Sequence, residues 1–113
     1  MLVILYYPNG NGGPVAAYLK DLATERPKAF ARLALDIEIL GAEGLRSRHI
    51  TIRPLGEKLW ELKRFYDGIQ YRVFFAVWKQ AVWLLHSIEK KSAKTPKDDL
   101  ELARKRLREV MTQ

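Results

Sequence analysis

The chain of 113 residues contains no cysteine, so it can form neither a disulfide nor a thiolate metal site. It also has no apolar run near the roughly 18 residues that a membrane-spanning helix needs. Its first ten residues lack the basic segment and the small-residue cleavage site of a secretory signal. These absences predict a soluble, cytoplasmic protein. A chain of this length is expected to fold as one domain, residues 1–113.

Acidic residues are scarce, since 13 Asp and Glu stand against 20 Lys and Arg, for a formal net charge of +7. Residues 1–43 hold four basic and five acidic residues, net −1, whereas residues 44–113 hold sixteen and eight, net +8. Such a basic half suits a polyanionic partner, because each phosphate that it neutralises releases condensed counterions. The alternative is a charge excess that serves solubility alone.

The first half of the chain predicts one strand and two helices. An apolar run at residues 2–7 ends in a cluster of turn formers at residues 8–13. Apolar residues then recur at helical spacing on both sides of Arg26-Pro27, which marks a break between two helices. Residues 45–57 show no sustained period and predict an exposed basic connector.

The second half predicts three antiparallel strands and a final helix. Asp67-Gly68 is a strong signal for a two-residue turn, because a type I′ turn needs positive φ at both residues, and Lys79-Gln80 is a weaker one. Thr95-Pro96 begins the last helix, with Thr95 as its capping residue. The predicted fold is α+β, with two N-terminal helices and a C-terminal helix packed on a small twisted, mainly antiparallel sheet, in the order β-α-α-β-β-β-α.

Counting residues back from the predicted turns gives a register for the sheet. The Asp67-Gly68 turn places Lys63 directly opposite Arg72 on one face. The Lys79-Gln80 turn places Ser87 opposite Arg72 on the same face. The reverse face is almost wholly apolar and is expected to pack against the helices.

Two explanations for the facing cations are open, since like charges directly opposite destabilise a sheet by about 0.2–1 kcal/mol. Glu61, a diagonal neighbour of Arg72, offsets the repulsion in the first. In the second, Lys63, Arg72 and Lys91 surround a phosphate site, with Ser87 as a hydrogen-bond partner.

The two histidines do not indicate a metal centre. His86 falls on the apolar face in the predicted register and is expected to be a hydrogen-bonded interior residue rather than a general base. His49 lies in the basic connector and is expected to be a surface residue. We therefore expect no cofactor.

Several short motifs follow one another in a set order along the second half of the chain: Pro54-Leu55-Gly56, Leu59-Trp60-Glu61-Leu62-Lys63, Tyr71-Arg72-Val73, Leu84-Leu85-His86, Lys90-Lys91, Thr95-Pro96 and Ala103-Arg104-Lys105-Arg106-Leu107. Together they resemble the HigB-like branch of the RelE/ParE toxin superfamily, the phage-derived toxins of bacterial toxin–antitoxin pairs. That pattern usually has arginine after the Glu-Leu pair, where this chain has Lys63 followed by Arg64. Which of the two is the functional cation is left open.

The resemblance implies a RelE-like fold and a metal-independent endoribonuclease that cleaves ribosome-bound mRNA and is inhibited by a cognate helix-turn-helix antitoxin. The positions carried over as catalytic are Lys63, Arg72 and Lys91. We expect further RNA contacts from basic and polar residues in the connector and around the strand ends, namely Arg46, Arg48, Arg53, Arg64, Ser87, Lys90 and Lys94.

Two alternatives to the nuclease remain, because a fold does not determine an activity. ParE-type members of the superfamily bind DNA gyrase and do not cleave RNA. A degenerate toxin would only form a complex with its antitoxin. The clustered cations favour the nuclease, since gyrase binding has no evident need for phosphate ligands.

Overall fold

The computed structural model describes residues 1–90 and 95–113, and it has the predicted α+β architecture. Its elements in chain order are β1 (Val3–Tyr6), α1 (Gly13–Glu25), α2 (Pro27–Glu43), a short 3₁₀ turn (Gly44–Arg46), β2 (Thr51–Gly56), β3 (Leu59–Tyr66), β4 (Ile69–Trp78), β5 (Ala81–Lys90) and α3 (Lys97–Met111). Within the described ranges, no helix combines the length and the apolar character needed to cross a membrane.

Residues 51–56 form an edge strand, so the prediction of a connector without secondary structure is wrong for this segment, although most of its residues are exposed as predicted. β2 pairs antiparallel with β3 and completes a five-stranded sheet of order β1-β5-β4-β3-β2. The sequence did not indicate this strand, because Pro54 and Gly56 are unfavourable in a central strand and are acceptable only at an edge. A register shift between them also interrupts the alternation of side chains.

Two-residue turns connect the four antiparallel strands. Asp67-Gly68 and Lys79-Gln80 form the predicted turns, and Glu57-Lys58 forms a third. The φ angles of these six residues lie between 51° and 82°, the left-handed conformation that type I′ turns require. The first strand differs, since β1 pairs parallel with β5 after the chain has passed through α1 and α2.

Helices cover both faces of the sheet. α1 and α2 pack on the apolar face, against residues that include Leu62, Tyr71 and Val73, as predicted. α3 packs on the opposite face, which we call the α3 face, against Phe74 and Leu85. Two hydrophobic cores therefore hold the sheet between them.

A β-bulge in β5 changes the register that turn counting predicted. Phe75 pairs with Leu84, as expected from the Lys79-Gln80 turn. The next residue of β4, Phe74, pairs with His86, so Leu85 is an extra residue on β5. Beyond this point the predicted register is wrong by one residue, because the count assumed an uninterrupted ladder.

Because of the bulge, two candidate residues lie on the opposite sheet faces from those predicted. Ile88 rather than Ser87 lies opposite Arg72, and Ser87 pairs with Val73 on the face covered by α1 and α2. His86 lies instead on the α3 face, beside Phe74. The predictions that Ser87 neighbours Arg72 and that His86 faces the apolar core of α1 and α2 are therefore wrong.

Replacing Gln80 by glycine is expected to stabilise the protein, because a glutamine at φ 63° bears a steric cost that glycine does not. We expect Gln80→Gly to raise the free energy of unfolding in urea by about 0.5–1 kcal/mol, which is the cost of the left-handed conformation less the extra conformational entropy that glycine loses on folding. Gly68→Ala is the matched opposite change, because Gly68 has φ 82° in the neighbouring turn. Equal stabilities for the two variants would contradict this account of the turns.

Candidate nucleic-acid interface

Two of the cations predicted on one sheet face, Lys63 and Arg72, lie at one end of the α3 face, where the side chains form three cross-strand rows. The row nearest the α3 core contains Arg53, Glu61, Phe74 and His86. The middle row contains Thr51, Lys63, Arg72 and Ile88. The outer row contains Phe65, Gln70 and Lys90. The predicted pairing of Lys63 with Arg72 is confirmed, and we call the group of Arg53, Glu61, Lys63, Gln70, Arg72 and Lys90 the cationic end.

The centre of the cationic end is a buried ion pair. The side chains of Arg72 and Glu61 are both 0% exposed, and Arg72 Nη1 lies 3.3 Å from Glu61 Oε2. Arg72 also donates from Nη1 to Thr95 Oγ1 at 2.7 Å and from Nη2 to Gln70 Oε1 at 3.1 Å. Glu61 thus offsets the repulsion between Arg72 and Lys63, and a phosphate in solvent does not reach Arg72 in this arrangement.

A second guanidinium approaches Glu61 from the surface. Arg53 donates from Nε to Glu61 Oε1 at 2.9 Å, and its side chain is 47% exposed. The Glu61 carboxylate therefore bridges one buried and one exposed arginine. Its single negative charge balances only one of the two, so Arg53 retains a positive charge toward solvent.

Thr95 belongs to this site, although its position before α3 predicted a helix cap. The helix begins at Lys97 with Pro96 at the N-cap, and no side chain caps it. The Thr95 hydroxyl donates to Glu61 Oε2 at 3.0 Å and accepts from Arg72 and Arg53. Sequence reasoning missed this role because Thr-Pro before a helix is also a strong capping signal.

Two lysines on the cationic end are not engaged with the rest of the described chain. In residues 1–90 and 95–113, the ammonium groups of Lys63 and Lys90 form no hydrogen bond or ion pair, and both residues are partly exposed. Lys90 lies beside Gln70 in the outer row, one row away from Lys63. These two amines are placed to bind an anion.

Arg64 lies on the opposite face of the sheet from Lys63. Its Nε and Nη2 donate to the Asp36 carboxylate of α2 at 2.8 and 2.7 Å. The side chain of Asp36 is only 2% exposed, and its hydrogen bonds raise the pKa of Arg64. Arg64 therefore joins β3 to α2, while Lys63 shares the α3 face with Arg72.

The other predicted RNA contacts are more dispersed. Arg46 and Arg48 are exposed in the segment before Thr51, the β2 residue that faces Lys63. His49 is a surface residue, as predicted, and it contacts Glu43 at 2.8 Å. Hydrogen bonds from Ser47 and His49 lower the pKa of Glu43. The predicted residues Lys91 and Lys94 lie outside the described part of the chain.

His86 connects β5 to α3. Its Nε2 lies 2.7 Å from Asp99 Oδ1, and its ring stacks on Phe74 with the centroids 5.8 Å apart. It is hydrogen-bonded, as predicted, although on the α3 face. In the ranges 1–90 and 95–113, the structure contains no cluster of three or more side chains suited to hold a metal ion.

A network on the opposite face fixes the end of β5. Tyr18 of α1 donates to Glu89 at 2.5 Å, and Arg26 donates to Glu89 and Tyr71 at 3.1 and 2.9 Å. Burial, reinforced by the hydrogen bond to Glu89, raises the pKa of Tyr18, so this hydroxyl remains a donor. Because side chains alternate along a strand, anchoring Glu89 on one face directs Lys90 to the other.

Three helices on a five-stranded mixed sheet are consistent with the RelE-like fold that the resemblance implied. The model of the family described as "Phage derived protein Gp49-like (DUF891)" matches residues 17–108. The chain therefore belongs to the family of phage-derived Gp49-like proteins. No curated protein matches it.

Removing Glu61 is expected to leave the buried Arg72 charge uncompensated. We expect Glu61→Ala to lower the free energy of unfolding by about 3–5 kcal/mol, measured by urea denaturation. The double variant with Glu61→Leu and Arg72→Met removes both charges and is expected to be more stable than Glu61→Ala. Arg53→Met is the matched control, with a loss of at most about 1 kcal/mol, because this arginine is half exposed. A double variant no more stable than Glu61→Ala would contradict a coupled pair.

Proposed function

We propose that the protein is the toxin of a toxin–antitoxin pair and that it cleaves ribosome-bound mRNA. The observation that carries the proposal is the cationic end, where Lys63 and Lys90 have no partner among the described residues. Membership of a phage-derived family and a RelE-like arrangement of elements support it. A cognate helix-turn-helix antitoxin is part of the same proposal.

The charge of the cationic end suits a polyanion. Four basic side chains, those of Arg53, Lys63, Arg72 and Lys90, surround one carboxylate, for a net charge of +3. Side chains directly opposite on neighbouring strands lie about 5 Å apart, as those of Lys63 and Arg72 do, so these charges combine in one positive patch at this end of the α3 face. Because they stand on strands, their positions are set before the substrate binds.

The chemistry that we propose is intramolecular transesterification. The ribose 2′-oxygen bonds to the adjacent phosphorus, the bond from phosphorus to the 5′-oxygen breaks, and the proton of the 2′-hydroxyl passes in balance to the 5′-oxygen. The products are a 2′,3′-cyclic phosphate and a 5′-hydroxyl. The transition state carries extra negative charge on the phosphate oxygens, which fixed cations stabilise most where water is excluded.

In this proposal some residues of the site contact the RNA, and others hold those residues in position. Lys63 either stabilises the charge on a phosphate oxygen or activates the 2′-hydroxyl, and Lys90 binds a neighbouring phosphate. Lys91, predicted from the sequence, is a further phosphate ligand in this proposal. Arg72 is a positioning residue rather than a phosphate ligand, because its side chain is buried against Glu61.

Loss of Lys63 is expected to abolish most of the cleavage. In a translation reaction with purified protein, Lys63→Met should reduce the rate of mRNA cleavage by about 100-fold or more, since one fixed stabilising group contributes that much in comparable sites. Cleavage is measured by primer extension on the mRNA. Lys90→Met and Lys91→Met should each cause a smaller loss, because a second cation remains nearby.

Lys20→Met is the matched control, because Lys20 is an exposed lysine on α1, behind the sheet. It should cleave like the unchanged protein. If Lys63→Met cleaves mRNA at the rate of the Lys20→Met control, Lys63 takes no part in the cleavage site. Arg72→Met should lose stability and activity together, and a stable, fully active Arg72→Met variant would contradict its positioning role.

A gyrase supercoiling assay on the same preparation tests the alternative function. Cleavage of mRNA without inhibition of supercoiling is the expected result. Inhibition of supercoiling without cleavage of mRNA would contradict the nuclease function and indicate that the protein inhibits gyrase. Activity in neither assay would favour a degenerate toxin that acts only in complex with its antitoxin.

A further inference from the structure

Phe65 is the one exposed aromatic residue in the described ranges 1–90 and 95–113. Its relative exposure is 63%, whereas every other Phe, Tyr and Trp is buried or partly covered. It lies near the end of β3, directly before the Tyr66-Ile69 pair that closes the Asp67-Gly68 turn. A single exposed apolar residue is common on protein surfaces, so its neighbours decide whether it has a use.

The neighbours of Phe65 on the α3 face are polar or cationic. Lys63 is two residues away on the same strand and therefore on the same face. Gln70 lies directly across from Phe65, and Lys90 follows it in the same row. Arg72 donates to the Gln70 side chain at 3.1 Å, so the position beside the ring is held by the buried ion pair.

This combination fits single-stranded nucleic acid better than a protein surface. The centre of a protein interface is depleted of charged residues, whereas Phe65 shares its sheet face with Lys63 on the same strand and with Lys90 two strands away. Single-stranded nucleic acid is bound by cations that follow its phosphates and by aromatic rings that stack on its bases. The other exposed large apolar residues of the described chain, Met1, Val3, Leu35 and Leu45, lie on elements outside the cationic end.

We propose that Phe65 is a stacking platform for one base of single-stranded RNA whose flanking phosphates bind Lys63 and Lys90. The inference rests on the proposed function for the identity of the RNA as mRNA. It adds a base contact to a site otherwise built of charges. Because every base has a π face, this contact strengthens binding without selecting a particular base.

The test uses a short single-stranded RNA that carries 2′-fluoro groups, which prevent cleavage, and 2-aminopurine, whose fluorescence falls when it stacks on an aromatic ring. The unchanged protein is expected to quench the fluorescence on binding. Phe65→Ala should lose the quenching and raise the Kd about tenfold, the effect of losing one stacked base. Phe65→Trp should restore both.

Phe65→Leu separates stacking from simple apolar contact, since leucine keeps the apolar surface but has no π system. It should behave like Phe65→Ala with RNA. Leu35→Ala is the matched control, because Leu35 is also an exposed apolar residue but belongs to α2. Thermal unfolding should be nearly the same for all these variants, since Phe65 is mostly exposed.

Binding and quenching that are unchanged in Phe65→Ala, or restored to normal in Phe65→Leu, would overturn the stacking role. Restoration by leucine would indicate a simple apolar contact with the RNA instead. Absence of quenching by the unchanged protein would overturn the stacking role as well. The mRNA cleavage assay is run on the same variants. Failure of the unchanged protein to cleave would reject the nuclease, whereas normal cleavage by Phe65→Ala with unchanged RNA binding would reject only the platform.

Discussion

The ion pair between Arg72 and Glu61 is the constraint on which the cationic end depends. Removing two charges from water costs several kcal/mol each, and such a pair is tolerated only when hydrogen bonds satisfy both partners. Here those bonds come from Arg53 on β2, Gln70 on β4 and Thr95 ahead of α3. One pair thereby connects β2, β3, β4 and the segment that leads into α3.

This arrangement separates the charge that holds the site together from the charge that is offered to a ligand. Glu61 neutralises the buried guanidinium, so the interior bears no net charge from that pair. Lys63 and Lys90 lie on the rim with no partner among the described residues. A hydrogen-bonded support beneath the two lysines is suited to a reaction whose charge develops at the phosphate, because little reorganisation is needed as the charge appears.

Features encoded by neighbouring residues could be predicted from the sequence, and features that depend on distant ones could not. The Asp67-Gly68 turn alone was enough to place Lys63 opposite Arg72. The bulge at Leu85 carries no comparable local signal, since the strand reads as an uninterrupted apolar run, and it moved Ser87 and His86 to unexpected faces. β2 was missed because Pro54 marks a break in most contexts and is tolerated only at a sheet edge.

The sequence by itself determined the α+β class, the three-strand meander after residue 58 and the neighbouring cations at the end of the sheet, because turn chemistry and alternation act over a few residues. Only the tertiary structure decided which cation meets solvent. Arg72 is buried because Glu61 and Thr95, 34 residues apart, meet at its guanidinium. Burial is a property of the assembled chain, since it depends on which remote groups exclude water and satisfy the charge.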